Sequence, residues 1–255
     1  MKTIKQKFAV MATLMAMLLC GCAQNQLRKS VDEFNKKCPV QIAMFARIME
    51  ATFDNDHVAI RYELDDRLMK IEAMRENADL VKQQLLDAYC QPKSDMKEFV
   101  DVILAADATL EFIYEGRLSG EKTSVTITPE ELRKAKDGER MSADDQLAFT
   151  ILMCNAQCPI TLADGMVMTS MQQEGESVYY LYDVSPEIFA NLQENLDNAK
   201  AATRSSLERL GEVEKMDLRK VPAANKSLGY RYTCPDTGES VEFSFTQSQL
   251  NDILK

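Results

Sequence analysis

LRKSVDEFNKKCPV (residues 27–40) and LAFTILMCNAQCPI (residues 147–160) are two versions of one pattern, 120 positions apart. Leu27, Val31, Asn35, Cys38, Pro39 and Val40 fall on Leu147, Ile151, Asn155, Cys158, Pro159 and Ile160. The apolar positions, Leu27, Val31, Phe34 and Cys38 against Leu147, Ile151, Cys154 and Cys158, recur at four, three and four residues, the spacing of one helix face. Cys-Pro then ends the helix, because the residue before a proline is pushed out of the helical region. Farther out, Val58, Tyr62 and Leu68 match Val178, Tyr182 and Ile188 at the same offset. Beyond that the offset becomes 118, which sets Leu110, Tyr114, Gly120, Glu121, Thr128 and Leu132 on Leu228, Tyr232, Gly238, Glu239, Thr246 and Leu250. A single two-residue deletion thus aligns the two halves of the chain, as a duplicated domain requires.

In the first copy, residues 41–50 and 58–64 read as strands on either side of the polar turn Asp54-Asn55-Asp56-His57. Val58, Ile60, Tyr62 and Leu64 alternate with Ala59, Arg61 and Glu63, so one sheet face is buried and the other wet. Asp65 or Asp66 caps a long helix over 67–89, striped by Leu68, Ile71, Met74, Ala78, Val81, Leu85 and Tyr89. Ser94 opens a shorter helix. Residues 110–114 and 125–127 form a hairpin about Ser119-Gly120. Thr128-Pro129-Glu130-Glu131 has the order of residues that starts a helix.

The second copy repeats the plan. Ser185-Pro186-Glu187 caps its long helix, Pro222 stops a short one over 213–220, and Pro235-Asp236-Thr237-Gly238 turns its last hairpin. The expected fold class is α+β: two tandem repeats, each a four-stranded antiparallel sheet with helices on one face, in the order α-β-β-α-α-β-β. The expected segments are a leader (1–21), a first repeat (22–132), a charge-rich linker (133–145) and a second repeat (146–255).

The chain has 255 residues, 45% hydrophobic and 27% charged, so each copy is long enough to bury its own core. Its formal charge is −10, and loss of the three leader lysines Lys2, Lys5 and Lys7 takes this to −13. A nucleic-acid partner needs a positive surface, which this composition does not offer.

Lys2, Lys5 and Lys7 precede an apolar run from Phe8 to Leu19 that only Thr13 interrupts, too short to span a bilayer. It ends in Leu19-Cys20-Gly21-Cys22, which resembles the lipobox of bacterial lipoproteins. The resemblance covers the leader alone. It implies that Cys22 becomes a lipid-bearing N-terminus and a membrane anchor, and Ala23 behind it implies delivery to the outer membrane. Helical spacing begins by Leu27, leaving almost no tether between lipid and fold. The mature part, with its helix-Asn-x-x-Cys-Pro opening followed by two Tyr-containing hairpins, resembles exported proteins of unassigned function from gut-type bacteria. No activity comes with that likeness.

Behind the leader, Cys22, Cys38, Cys90, Cys154, Cys158 and Cys234 remain. With Cys22 acylated the rest are odd in number, so at least one thiol stays free or pairs between molecules. Export favours disulfides, with Cys38–Cys90 and Cys158–Cys234 as the pairs to consider, while positions on apolar stripes equally suit small buried hydrophobes. Cys154-x-x-x-Cys158 lacks both redox spacing and further metal ligands.

His57 is the only histidine, which leaves neither a Ser-His triad nor a multi-histidine metal site without a stand-in. Asp54-x-Asp56 opens like a calcium loop, but Ala59 stands where such a loop needs glycine. Ser94-x-x-Lys97 and Lys122-Thr123-Ser124 lie too close together for penicillin-recognising enzymes. No glycine-rich phosphate loop occurs. No catalytic residue, metal or cofactor is therefore expected.

Outward strand positions in the first copy are Arg61, Glu63, Glu111 and Glu115, with Ile113. In the second they include Tyr179, Leu181 and Arg231. These three either begin a partner-binding patch or pack against the other repeat or a helix. The expectation is a lipid-anchored envelope protein that binds an envelope protein or a small ligand, in a groove between the repeats. The rivals are an envelope enzyme using paired carboxylates on glycans, and an anchored inhibitor. Oligomeric state is open.

Overall fold

A computed structural model describes residues 23–90 and 96–255. Cys22, the leader and Ser94 lie outside the described residues. Residues 23–35 form α1. Then follow β1 (Val40–Ala43), β2 (Ala46–Asp54), β3 (His57–Leu64), α2 (Ile71–Glu76), α3 (Ala78–Cys90), α4 (Lys97–Ala105), β4 (Thr109–Gly116), β5 (Lys122–Ile127) and α5 (Pro129–Lys136). The second unit repeats the order as α6 (Ala143–Asn155), β6 (Ile160–Ala163), β7 (Met166–Glu174), β8 (Ser177–Val184), α7 (Pro186–Glu194), α8 (Leu196–Glu208), α9 (Glu212–Ala223), β9 (Ser227–Thr233), β10 (Ser240–Phe245) and α10 (Gln247–Ile253). The chain divides into two compact units between Met141 and Ser142. Of the charge-rich segment 133–145, residues 133–136 belong to α5 and residues 143–145 to α6.

Each unit has its own five-stranded sheet, ordered β1-β2-β3-β4-β5 and β10-β9-β8-β7-β6. The expected four-stranded antiparallel sheet is corrected in two ways. Residues 41–50 are not one strand but the hairpin of β1 and β2, with Gln41 opposite Arg47 and Ala43 opposite Ala46. And β3 pairs with β4 in parallel, as β8 does with β9. A parallel neighbour needs a crossover, and the α2–α4 and α7–α9 segments supply it. Each long helix is also broken, at Asn77 and Asn195, whose backbones leave the helical region at φ −119° and −126°. Pro222 lies in the last turn of α9 rather than beyond it, where it removes one backbone hydrogen bond, and the helix ends one residue later at Ala223.

The alternation along β3 and β4 places Val58, Ile60, Tyr62, Leu64, Leu110, Phe112 and Tyr114 on the buried face, none more than 6% exposed. The last helix of each unit begins with a capping box, Thr128 with Glu131 and Thr246 with Gln249, which satisfies two N–H groups reciprocally. The repeated Cys-Pro bonds, Cys38-Pro39 and Cys158-Pro159, are both cis.

The conserved spacing of Asn35 and Asn155 has a concrete use. β1 pairs with β2 only as far as Ile48, so β2 beyond that point has an open edge. The Asn35 side-chain amide fills it, donating to Ala51 O at 2.7 Å and accepting from Ala51 N at 2.7 Å. Asn155 does the same at Met171, at 2.9 and 2.7 Å. The amide acts as one further residue of strand β1 or β6 and pins the helix end to the sheet. Both backbone groups served belong to buried residues, Ala51 and Met171 being 1% exposed.

At one end of the first sheet, Asp65 and Asp66 gather the loops. Asp65 accepts from Arg67 Nε and Nη2 at 2.9 and 2.7 Å and from Arg117 Nη2 at 2.5 Å. Asp66 accepts the backbone N–H of Leu118 and of Ser119 at 3.1 and 2.7 Å. The Arg67 hydrogen bonds, and then the charge of Arg117, hold the Asp65 carboxyl at about 2, below the ordinary 3.8.

Two outcomes follow. Asn155→Ala strands two buried backbone groups and should cost about 2–4 kcal/mol in denaturant unfolding. Asn155→Asp should not restore it, since its second oxygen faces the Met171 carbonyl. For Asp65, the lowered value means that its stabilisation is complete above 3.8 and fades as pH falls through about 2. A carbon-detected NMR titration should place its midpoint near 2, with the 117–119 loop amides shifting together.

Candidate functional site

The outer sheet face of the second unit carries Tyr179, Leu181 and Arg231. Register explains their meeting: in the parallel pair β8–β9, Tyr179 lies beside Gly229 and Leu181 beside Arg231. The Tyr179 ring leans across β9 over Gly229, so closely that a Cβ there would stand 2.3 Å from the ring. The Arg231 guanidinium sits 4.3 Å from the ring centroid, at cation–π distance. It donates to both Glu174 carboxylate oxygens at 2.8 and 3.0 Å and through Nε to Glu242 at 2.7 Å. One arginine therefore ties β7, β8, β9 and β10 on the open side of the sheet, and its two-pronged grip on Glu174 fixes its orientation. Hydrogen bonds from Arg231 pull Glu174 below the ordinary carboxylate value, and Glu174 followed by Glu242 raises Arg231. A carboxyl held down in this way is the opposite of a general acid, which must stay protonated near neutral pH.

The first unit bears the reverse arrangement. Where Tyr179 meets Gly229, Ala59 meets Glu111; where Leu181 meets Arg231, Arg61 meets Ile113. Arg61 pairs with Glu50 at 3.0 Å and Glu115 at 3.5 Å. His57 contacts Glu111 at 2.9 Å. Burial acts to raise Glu111, but hydrogen bonds from Ser124 and His57 leave it below its ordinary value.

Neither of the disulfides considered from the sequence is present among the described residues, where Cys38, Cys90, Cys154, Cys158 and Cys234 carry no S–S bond. Cys90 is turned onto α5, where its Sγ donates to Leu132 O at 3.8 Å rather than meeting Cys38. Cys158 and Cys234, 4% and 1% exposed, share the apolar core of the second unit as small buried side chains. Burial, with Cys158 beside it, pushes the Cys154 thiol up to about 12, which keeps it protonated and unreactive at neutral pH. Among the described residues no group of three or more His, Cys, Asp or Glu is placed to hold a metal ion.

A groove of about 830 Å³ lies within the first unit between α1 and α4, floored by Phe34, Phe99 and Val102 and edged by Lys29, Glu33 and Lys37. Its two rings stack at 6.5 Å.

The sequence reading missed Gly229, Glu174 and Glu242. A glycine inside the aromatic run of β9 was the available signal, since glycine in a strand marks a close approach.

No protein-family model and no curated protein matches the chain. Among solved structures, one provisionally described as a secreted protein from Pseudomonas aeruginosa is 19% identical, with a TM-score of 0.37 over 44% of this chain and 93% of that one.

Gly229→Ala forces the Tyr179 ring off its seat and should cost about 1–3 kcal/mol in thermal unfolding. Made in a Tyr179→Ala background, the same change should cost little or be stabilising. Equal losses in both backgrounds would show that the ring is not what the glycine serves.

Proposed function

We propose that this protein is a lipid-anchored cell-envelope protein, held in the outer membrane through Cys22, that acts as a binding or adaptor module through the outer face of its second unit. The observation that carries the reading is the Tyr179–Arg231 stack, immobilised by Gly229, Glu174 and Glu242 with Leu181 beside it. Tyrosine and arginine dominate binding hot spots, and rings already fixed in place lose little freedom on binding. The face belongs to one copy of the duplicated module only, as a surface shaped for a specific partner would.

The anchor is supported by the lipobox and by the position of α1. Its first residue follows Cys22 directly, and its opening turns lie at the β2–β3 end of the sheet, where Gln24 bonds Asp56 and Arg28 sits 5.4 Å over the Phe53 ring. A lipid on Cys22 would hold that end near the bilayer. Among the described residues no helix is long and apolar enough to cross a membrane.

A photoreactive residue placed at Leu181 in living cells should give one discrete adduct that Arg231→Ala removes, while the same residue at Arg61 gives none. Cys22→Ser should move the protein from the membrane fraction to the soluble one. Failure of the adduct together with cleavage of an envelope polymer by purified protein would replace binding with catalysis.

A further inference from the structure

Among the described residues, six large apolar side chains are exposed: Ile42, Met44, Leu68, Leu118, Leu162 and Met216. The first four share one end of the first sheet. β2 begins there and β3 and β4 end there, with Ala46 opposite Leu64 and Leu64 beside Gly116. The β1–β2 turn therefore brings Met44, the loop after β3 brings Leu68, and the β4–β5 turn brings Leu118 to a common rim. Met44 is 84% and Leu118 63% exposed. The charges presented outward at this rim are mixed but led by arginine: the Arg67 and Arg117 side chains are 66% and 43% exposed and Asp65 between them 12%, while Glu121 is 55% exposed and pairs with Arg75.

The equivalent end of the second unit has the opposite character. Met44 is replaced by Asp164, Arg67 by Glu187, Leu118 by Asp236 and Arg117 by Pro235. Asp183 and Glu239 stand where the first unit has Glu63 and Glu121, and the turns there, 161–166, 183–187 and 234–240, contain no Lys or Arg. Leu162, the partner of Ile42 in the repeat, remains 54% exposed among these acids. Both ends close the same strands, but the loop after β3 runs over 65–70 where Ser185 caps α7 at once, so the first end has more loop to present.

We propose that the apolar, arginine-edged end of the first unit docks on the acidic end of the second unit of another copy of this chain. The contact buries Met44 and Leu118 against Leu162 and the aliphatic parts of its neighbours, and sets Arg67 and Arg117 against Asp164, Glu187 and Asp236. Like charge opposes second end to second end, with five carboxylates and no Lys or Arg on each side, whereas first end to first end sets Arg67 and Arg117 against a surface of mixed charge and not against an acidic one. The joined patches differ, so the contact is heterologous and a joined pair keeps one free end of each kind. Copies fixed in one membrane would then associate in rows. This reading does not depend on what the Tyr179 face binds.

The test is sedimentation velocity on the protein from residue 23 onward, which holds every described element, over a wide concentration range. The sedimentation coefficient should climb with concentration past that of a dimer, and less steeply as salt is raised from ~0.05 to ~0.5 M. The double variant Met44→Asp, Leu118→Asp, which writes the second unit's residues into the first, should weaken association at least ~10-fold, since it exchanges apolar burial for like charge. A variant with Arg67→Glu and Arg117→Glu, and another with Asp164→Lys, Glu187→Lys and Asp236→Lys, should each stay monomeric alone and associate when mixed. This exchange decides the matter even if the Met44 variant folds poorly. A wild-type protein that stays monomeric throughout, association untouched by these changes, or retention of the monomer by phosphatidylglycerol vesicles through Met44 and Leu118 would overturn the proposal.

Discussion

The side-chain amide of one asparagine, used twice, is the contact on which both units depend. A sheet built from a short first strand leaves part of its second strand unpaired, and buried N–H and C=O groups without partners are costly. Asn35 and Asn155 supply both missing bonds from the last turn of a helix. The helix therefore ends where the strand needs it, and the chain must turn within a few residues to start β1 or β6. Asparagine is the side chain that presents a donor and an acceptor in the geometry of a peptide group. That requirement explains why Asn35 and Asn155 agree across the repeat while Phe34 and Cys154, one position earlier, do not.

The duplication was readable because residues that touch the core or satisfy the backbone occupy the same places in both copies. Val58 and Val178, Tyr62 and Tyr182, Thr128 and Thr246 are of this kind. The strand count was hidden for a different reason. The β1–β2 turn of the first unit is Met44-Phe45, with no glycine, proline or small polar residue to announce it. The matching turn of the second unit is Asp164-Gly165, with Gly165 at φ 77°. Carrying that signal back across the repeat would have divided residues 41–50 correctly. The breaks at Asn77 and Asn195 were concealed because the apolar stripe runs through them in helical register. The parallel pairing of β3 and β4 depends on where the helices carry the chain, which no local spacing records. Gathering Tyr179, Leu181 and Arg231 on one face was within reach of period-two alternation, but their mutual contact required the register of two strands 50 positions apart.

Inward conservation and outward divergence have one physical origin. A core position is held by many neighbours at once, so a change of size there is felt as lost packing or as overpacking. An outer sheet position meets only its cross-strand partners and water, and one ion pair on such a face is worth about 0–1 kcal/mol. The exchange of large and small, charged and apolar, between neighbouring strands of the two units is cheap on that scale. Ala59 and Glu111 against Tyr179 and Gly229, or Arg61 and Ile113 against Leu181 and Arg231, leave each sheet equally well formed.

Gly229 does not fit that tolerance. Glycine within a strand costs roughly 0.5–1 kcal/mol relative to alanine, through backbone freedom lost on folding. The fold does not require it, for Glu111 stands at the same place in the first unit with the same pairing and a full side chain. Nor does backbone strain require it, since Gly229 is not among the residues of positive φ. What a side chain there would displace is the Tyr179 ring, and with it the surface on which the Arg231 guanidinium rests. The backbone cost of Gly229 is thus offset by the seat it gives the Tyr179 ring, held flat under Arg231 on the open face of the sheet, which is why alanine there is expected to destabilise only while the ring is present.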